Sequence, residues 1–119
     1  MKRGQSWDRM GQNGPRNNQM RIYIAGPMTG IPEYNFPAFH AAAARLRGEG
    51  HDVVNPAEIV TDTSVSWETC MRADIRELVT CEAICLLPGF ENSKGARPER
   101  RIALDLGMTV MYAPQKEVA

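Results

Sequence analysis

Apolar residues along this chain alternate between two patterns. Short dense runs are separated by longer polar stretches in which apolar side chains recur every three or four positions. The first run, residues 20–25, is rich in β-branched and aromatic residues and ends at Gly26-Pro27, so it reads as a strand. Asn35 then stands as an N-cap with Pro37 in the first turn, and Phe36, Phe39, Ala43 and Leu46 form the stripe of a helix stopped by Gly48 and Gly50. Residues 51–55 form a second short strand closed by Pro56. Ser66 caps a helix that runs to about Thr80, with Trp67, Cys70, Met71, Leu78 and Cys81 on its stripe. Residues 83–87 are continuously apolar, as a central parallel strand buried on both faces should be. Another helix runs from Ala96 to near Gly107, its stripe made of Ala96, Glu99, Ile102, Ala103 and Leu106. Residues 108–113 read as a further buried strand, closed by Pro114.

The order β-α-β-α-β-α-β with short connections predicts an α/β fold. We expect a single-domain Rossmann-like or flavodoxin-like parallel sheet of about four to five strands, with helices on both faces. The folded part spans residues 20–115. Residues 1–19 are polar, rich in Gly and Asn and without an apolar signal core, and are expected to be a disordered arm or an extension upstream of Met20. Residues 116–119 form a polar tail.

Charge changes this picture little. The 14 Lys and Arg balance the 14 Asp and Glu, so no global field favours nucleic acid or an acidic membrane, and no run is long enough to span a bilayer. Trp7 is the arm's one aromatic residue, which argues against nucleic acid there too. Cys70, Cys81 and Cys85 lie inside apolar segments and read as reduced residues of a cytoplasmic protein. His40 and His51 show no metal-ligand spacing, so neither a metal nor another cofactor is expected.

Two carboxylates break the apolar stripes. Glu99 lies in the middle of one inward face and Asp74 at the centre of another, and burying a charge is costly unless it is paired or used. The plainer alternatives are that Glu99 bends out to solvent or pairs with Arg100 or Arg101, and that Asp74 pairs with Arg97 or caps a neighbouring backbone. In an open parallel sheet, ligands bind at the carboxyl ends of the strands. Loops 26–35, 55–65 and 88–95 meet that edge, and the Glu99 helix begins there. Loop 26–34 carries neither a dinucleotide fingerprint nor a P-loop. Two carboxylates with no metal, serine triad or catalytic cysteine suit glycosidic chemistry, in which one attacks or stabilises the sugar cation and the other handles the leaving-group proton. This division of labour predicts an ionised Glu99 and a proton-holding Asp74, in different surroundings.

The segments Tyr23-Ile24-Ala25-Gly26-Pro27-Met28-Thr29-Gly30, Asp74-Ile75-Arg76-Glu77-Leu78 with Cys81-Glu82-Ala83-Ile84, and Ser93-Lys94-Gly95-Ala96-Arg97-Pro98-Glu99 with Ala103 resemble the nucleoside 2-deoxyribosyltransferase superfamily in order and spacing. That superfamily includes the 2′-deoxynucleoside 5′-monophosphate N-glycosidases and small members found in phages and bacteria, which this chain most resembles. The resemblance implies that Glu99 is the nucleophile forming a deoxyribosyl-enzyme intermediate, and that Asp74 orients the sugar or shuttles a proton. It implies substrate contacts from Tyr23, from Gly26, Pro27, Met28, Thr29 and Gly30, from Asn55, and from Ser93 and Gly95 near the 5′ end of the sugar. It also implies a small nucleoside or nucleotide substrate and a homodimer or higher homo-oligomer. Leu104, on the arginine-rich face of its helix, is compatible with such an interface. The monophosphate-using branch carries a serine and an arginine in the first loop. Here Pro27 and Thr29 stand instead, closer to the transferase branch, which leaves Lys94, Arg97 and Thr29 as candidates for phosphate. Glu82 replaces an aspartate that is usual before the third strand. The expected function is cleavage or transfer at the N-glycosidic bond of 2′-deoxynucleosides or their 5′-monophosphates. A catalytically inactive nucleotide-binding module is the alternative, and a structural α/β domain whose arm recruits a partner is the third.

Overall fold

The computed structural model describes residues 19–62 and 64–115. The expected arm, apart from Gln19, and the expected tail lie outside the described residues. Four strands, β1 (Arg21–Ala25), β2 (Asp52–Val54), β3 (Ala83–Leu86) and β4 (Thr109–Tyr112), alternate with three helices, α1 (Phe36–Gly48), α2 (Trp67–Leu78) and α3 (Ala96–Asp105). The strands form one parallel sheet in the order β2-β1-β3-β4. The chain winds outward from β1 to β2, then crosses back to β3 and on to β4. The order therefore switches direction between β1 and β3, where a crevice opens at the carboxyl edge.

Strand alternation sorts the core into two layers. Ile22 and Ile24 of β1 face α1 and pack with Phe39, Ala42, Ala43, Leu46, Val53, Cys85 and Leu87. Tyr23 and Ala25 face the other way and pack with Leu78, Cys81, Ile84, Leu86, Ala96 and Ala103, beneath α2 and α3. All of β3 is buried, as its unbroken apolar run predicts.

At the amino edge, Arg21 clasps several elements together. Its guanidinium donates to Asp52 Oδ2 at 2.7 Å, Glu77 Oε1 at 3.2 Å and Thr80 Oγ1 at 2.9 Å, while its backbone N–H donates to Glu82 Oε1 at 2.9 Å. Glu82 thus latches the start of β3 to that of β1.

Four expectations are corrected. β4 is an edge strand, half-exposed, with Tyr112 59% accessible, because no described element covers its outer side. Leu106 is 58% accessible: α3 ends at Asp105, so the stripe stops one residue before it. Trp67, in the first turn of α2, is 36% accessible and lies outside the core clusters. Asn35 does not cap α1 with its side chain. It sits at φ 60° and donates instead from Nδ2 to Pro27 O at 3.0 Å. It ends a run of three left-handed residues, Glu33, Tyr34 and Asn35. A non-glycine residue in that region costs on the order of 1–3 kcal/mol, so the run persists only because the loop around it is tied down. Backbone bonds from Ile31 N–H to Met28 O and from Tyr34 N–H to Ile31 O, with the Asn35 amide, supply those ties. Ser66 does cap α2, accepting from Thr69 N–H at 3.1 Å.

Gly26, just past β1, allows a close approach to Leu87. A Cβ there would lie 2.7 Å from Leu87 Cβ, a position set by the backbone and unable to swing away. Gly26→Ala is expected to lower stability by about 1–3 kcal/mol in urea denaturation, the usual cost of overpacking. Leu87→Gly in the same chain, which removes that Cβ, should make the alanine's added cost small, and an unchanged cost would mean that the clash does not control this position.

Candidate functional site

A cavity of about 460 Å³ lies at the carboxyl edge, over the β1–β3 switch. Three segments build its rim: the loop after β1 with Pro27, Met28 and Thr29, the connection after β2 with Val60, Asp62 and Val65, and the loop Asn92–Gly95 leading into α3. Tyr34 and Phe36 add aromatic wall. The inward stripe of α2 contributes Trp67, Cys70, Met71 and Asp74, and that of α3 contributes Ala96 and Glu99. The spacing 67, 70, 71, 74 is one helical face, and the cavity, more than the core, is what that face meets.

Glu99 is 4% accessible and Tyr23 is fully buried. The Tyr23 hydroxyl donates to Glu99 Oε2 at 2.6 Å, joining the centre of the sheet to the inner face of α3. This contact follows from register. Tyr23 is the side chain of β1 that points to the α3 layer, and Ala96 and Ala103 on either side of Glu99 leave space for a phenol. Glu99 does not bend out to solvent, and among the described residues neither it nor Asp74 pairs with a cation.

Without such partners, burial controls protonation. Glu99 is pushed up to about 8, first by burial and further by the negative charge of Asp74, and the Tyr23 hydrogen bond opposes the shift only in part. Burial raises Asp74 to about 7. Tyr23 is held well above its ordinary value by burial and by the two carboxylates. The expected division has Glu99 ionised and Asp74 protonated, whereas burial raises both carboxyls, Glu99 included. Burial holds protons on both carboxyls above their ordinary range, more strongly on the more deeply buried Glu99.

The hydroxyl of Ser93 is engaged in loop structure: it accepts from Ala96 N–H at 3.0 Å and donates to Gly26 O at 3.5 Å. That arrangement satisfies the first N–H of α3 and ties its loop to the one after β1. At Gly95 a Cβ would meet Met71 Sδ at 3.2 Å, so a side chain there would need the Met71 side chain to give way slightly. Two anticipated residues do not line the cavity. Asn55 is 1% accessible, accepts from Ala57 N–H at 3.0 Å and contacts His40 Nδ1 at 3.1 Å, so its amide is spent on shaping the turn after β2. Gly30, at φ +84°, serves the backbone of the first loop. In the opposite direction, Trp67 and Tyr34 are cavity residues that the sequence pattern placed in a core stripe or left in a loop. Lys94 Nζ lies 4.0 Å over the Trp67 ring, across the mouth. The signal for Trp67 was its heptad offset from Asp74.

Residues 20–112 match the model of a family described as a domain of unknown function, DUF4406. The chain belongs to this family. No curated protein matches the chain. The DUF4406 match spans all four strands and three helices, so every cavity residue named above falls inside it. Among the described residues, no group of three or more His, Cys, Asp and Glu is placed to hold a metal ion, and no helix is long and apolar enough to cross a membrane.

The buried carboxyl carries a pH signature. Because the folded chain holds the Glu99 proton up to about pH 8 and the unfolded chain releases it near 4.5, folding stability is lost as pH rises between those values. Glu99→Gln keeps the shape and removes the titration. Wild type is therefore expected to lose a few kcal/mol relative to Glu99→Gln between about pH 5 and pH 9, read by denaturant melts at each pH. Parallel curves for the two chains would mean that Glu99 is ionised in the fold.

Proposed function

We propose that this DUF4406 chain cleaves or exchanges the N-glycosidic bond of 2′-deoxynucleosides or their 5′-monophosphates, as the resemblance to the nucleoside 2-deoxyribosyltransferase superfamily implies. The observation that carries the reading is the buried Glu99, oriented by the Tyr23 hydroxyl and sharing one cavity with Asp74. In the reaction, a Glu99 carboxylate oxygen attacks the anomeric carbon. The bond to the base nitrogen breaks, and its electron pair leaves with the base as a proton is delivered to it. Water or a second base then takes the deoxyribosyl group and frees Glu99. Tyr23 fixes the carboxylate so that one oxygen is bound and the other is available. A cavity of about 460 Å³ is in the range of small-molecule sites, and its mixture of aromatic wall and few polar groups suits a sugar and a base.

Attack requires the anion, whereas the empty cavity favours neutral Glu99. The two carboxyls are coupled, so their protons leave in steps that belong to the pair. If Asp74 donates the leaving-group proton, kcat/KM follows a bell with limbs near 7 and 8 and a maximum between them. If Asp74 only orients the sugar, kcat/KM rises to a plateau above about 8. Asp74→Asn should convert a bell into a plateau, and rates over pH 5 to 10 decide between the two roles.

The same pKa favours a second reading, a binding module that keeps nucleosides without turning them over, since a neutral Glu99 is a hydrogen-bond donor and not a nucleophile. Chromatography of wild type and Glu99→Ala with the four deoxynucleosides and their 5′-monophosphates, with and without an acceptor base, separates the readings. Free base from wild type, with a loss of at least about 10³-fold in Glu99→Ala, is the expected result. New nucleoside in the presence of acceptor identifies transfer. No release at high protein concentration, with binding retained, would establish the module instead.

A further inference from the structure

Outside the cavity, on the other side of the Asn92–Lys94 segment, lies a second and more open depression of about 740 Å³. Asn92 and Lys94 line both, so the two flank the same segment. Lys94, Arg97, Arg100 and Arg101 contribute four cations to the depression, against one carboxylate, Glu91. In a chain whose formal charge is zero, this concentration is local. Arg101 is engaged, weakly, with Asp105 at 3.4 Å, both side chains well exposed. Among the described residues Arg97 and Arg100 have no carboxylate partner. Arg100 is half-buried, its guanidinium carbon 5.8 Å from the centre of the Phe90 ring, and its buried Nε has no acceptor. An arginine held on an aromatic face with unspent donors is prepared for an oxyanion, and a guanidinium fork matches phosphate geometry.

We propose that this depression takes the outer phosphates of a nucleoside 5′-polyphosphate whose sugar and base occupy the cavity. The inference rests on the reading of the cavity as a nucleoside site and extends its substrate class beyond the monophosphate. Lys94, at the junction, meets the phosphate nearest the sugar, and Arg97 and Arg100 meet those beyond it. Extent decides between a polyphosphate and a nucleic-acid strand. From Arg97 to Arg101 the helix rises only about 6 Å, room for a short phosphate chain, whereas strand-binding grooves track roughly four or more nucleotides.

The test is calorimetric titration of the full chain carrying Glu99→Gln, so that ligands survive, with a deoxynucleoside, its 5′-monophosphate and its 5′-triphosphate. Affinity is expected to rise at least tenfold from monophosphate to triphosphate, with a steeper salt dependence for the triphosphate. In Arg97→Gln/Arg100→Gln that ratio should fall to about one. Inorganic tripolyphosphate should compete with the triphosphate on the wild-type chain, which tests the depression without any substitution. Equal affinity for mono- and triphosphate overturns the proposal, as does a ratio that survives the double substitution, or tighter binding of a short single-stranded oligodeoxynucleotide than of the triphosphate. A triphosphate preference without base release would retire the glycosidic reading and leave this one standing. Base release with no such preference would do the reverse.

Discussion

The hydrogen bond between Tyr23 and Glu99 is the contact on which this architecture turns. It spans 76 positions of sequence and joins the first strand to the last helix at 2.6 Å. A carboxyl group on an inward helix face is a liability unless something gives it a partner and a purpose. Here the partner is a phenol rising from the sheet, and the cost that remains appears as a proton held to about pH 8. Small residues above and below, Ala96 and Ala103, let α3 come close enough for the contact, and Gly95 lets α3 lie against Met71 of α2.

Topology does the rest. Crossing from β2 back over β1 to β3 places the loops after β1 and β3 side by side, and Ser93 stitches them by bonding both Gly26 and Ala96. The carboxylates of two different helices reach one cavity because α2 and α3 cover the same face of the sheet. Neither helix carries a recognisable motif by itself. The pair of ionisable groups arises where the two stripes meet.

Protonation is the variable that separates an enzyme from a receptor in this cavity. Burial raises both carboxyls, so the pair retains protons toward neutral pH. A charge brought into the cavity, or a change in its hydration, shifts those protons through the same electrostatic coupling that links Asp74 to Glu99. Beside the cavity, the cations of α3 form the other electrostatic feature, opposite in sign and far better solvated.

Periodicity alone determined most of the fold. The order of elements, the parallel sheet, the burial of β3, the Ser66 cap and the inward placement of Glu99 all follow from spacing, because local propensity and burial agree at those positions. Tertiary structure decided what spacing cannot encode. Trp67 and Asn35 carry the residue types of a core stripe and a cap, yet the first lines a cavity and the second anchors a strained loop, since accessibility depends on which segments arrive opposite. Asn55 sits between a strand and a turn like a ligand residue, but its amide is consumed by Ala57 and His40. The protonation of Glu99 is of the same kind. The sequence places a carboxyl on an inner face, but its charge is decided by the depth of burial and by Tyr23 and Asp74, distant in sequence, that only folding brings within reach.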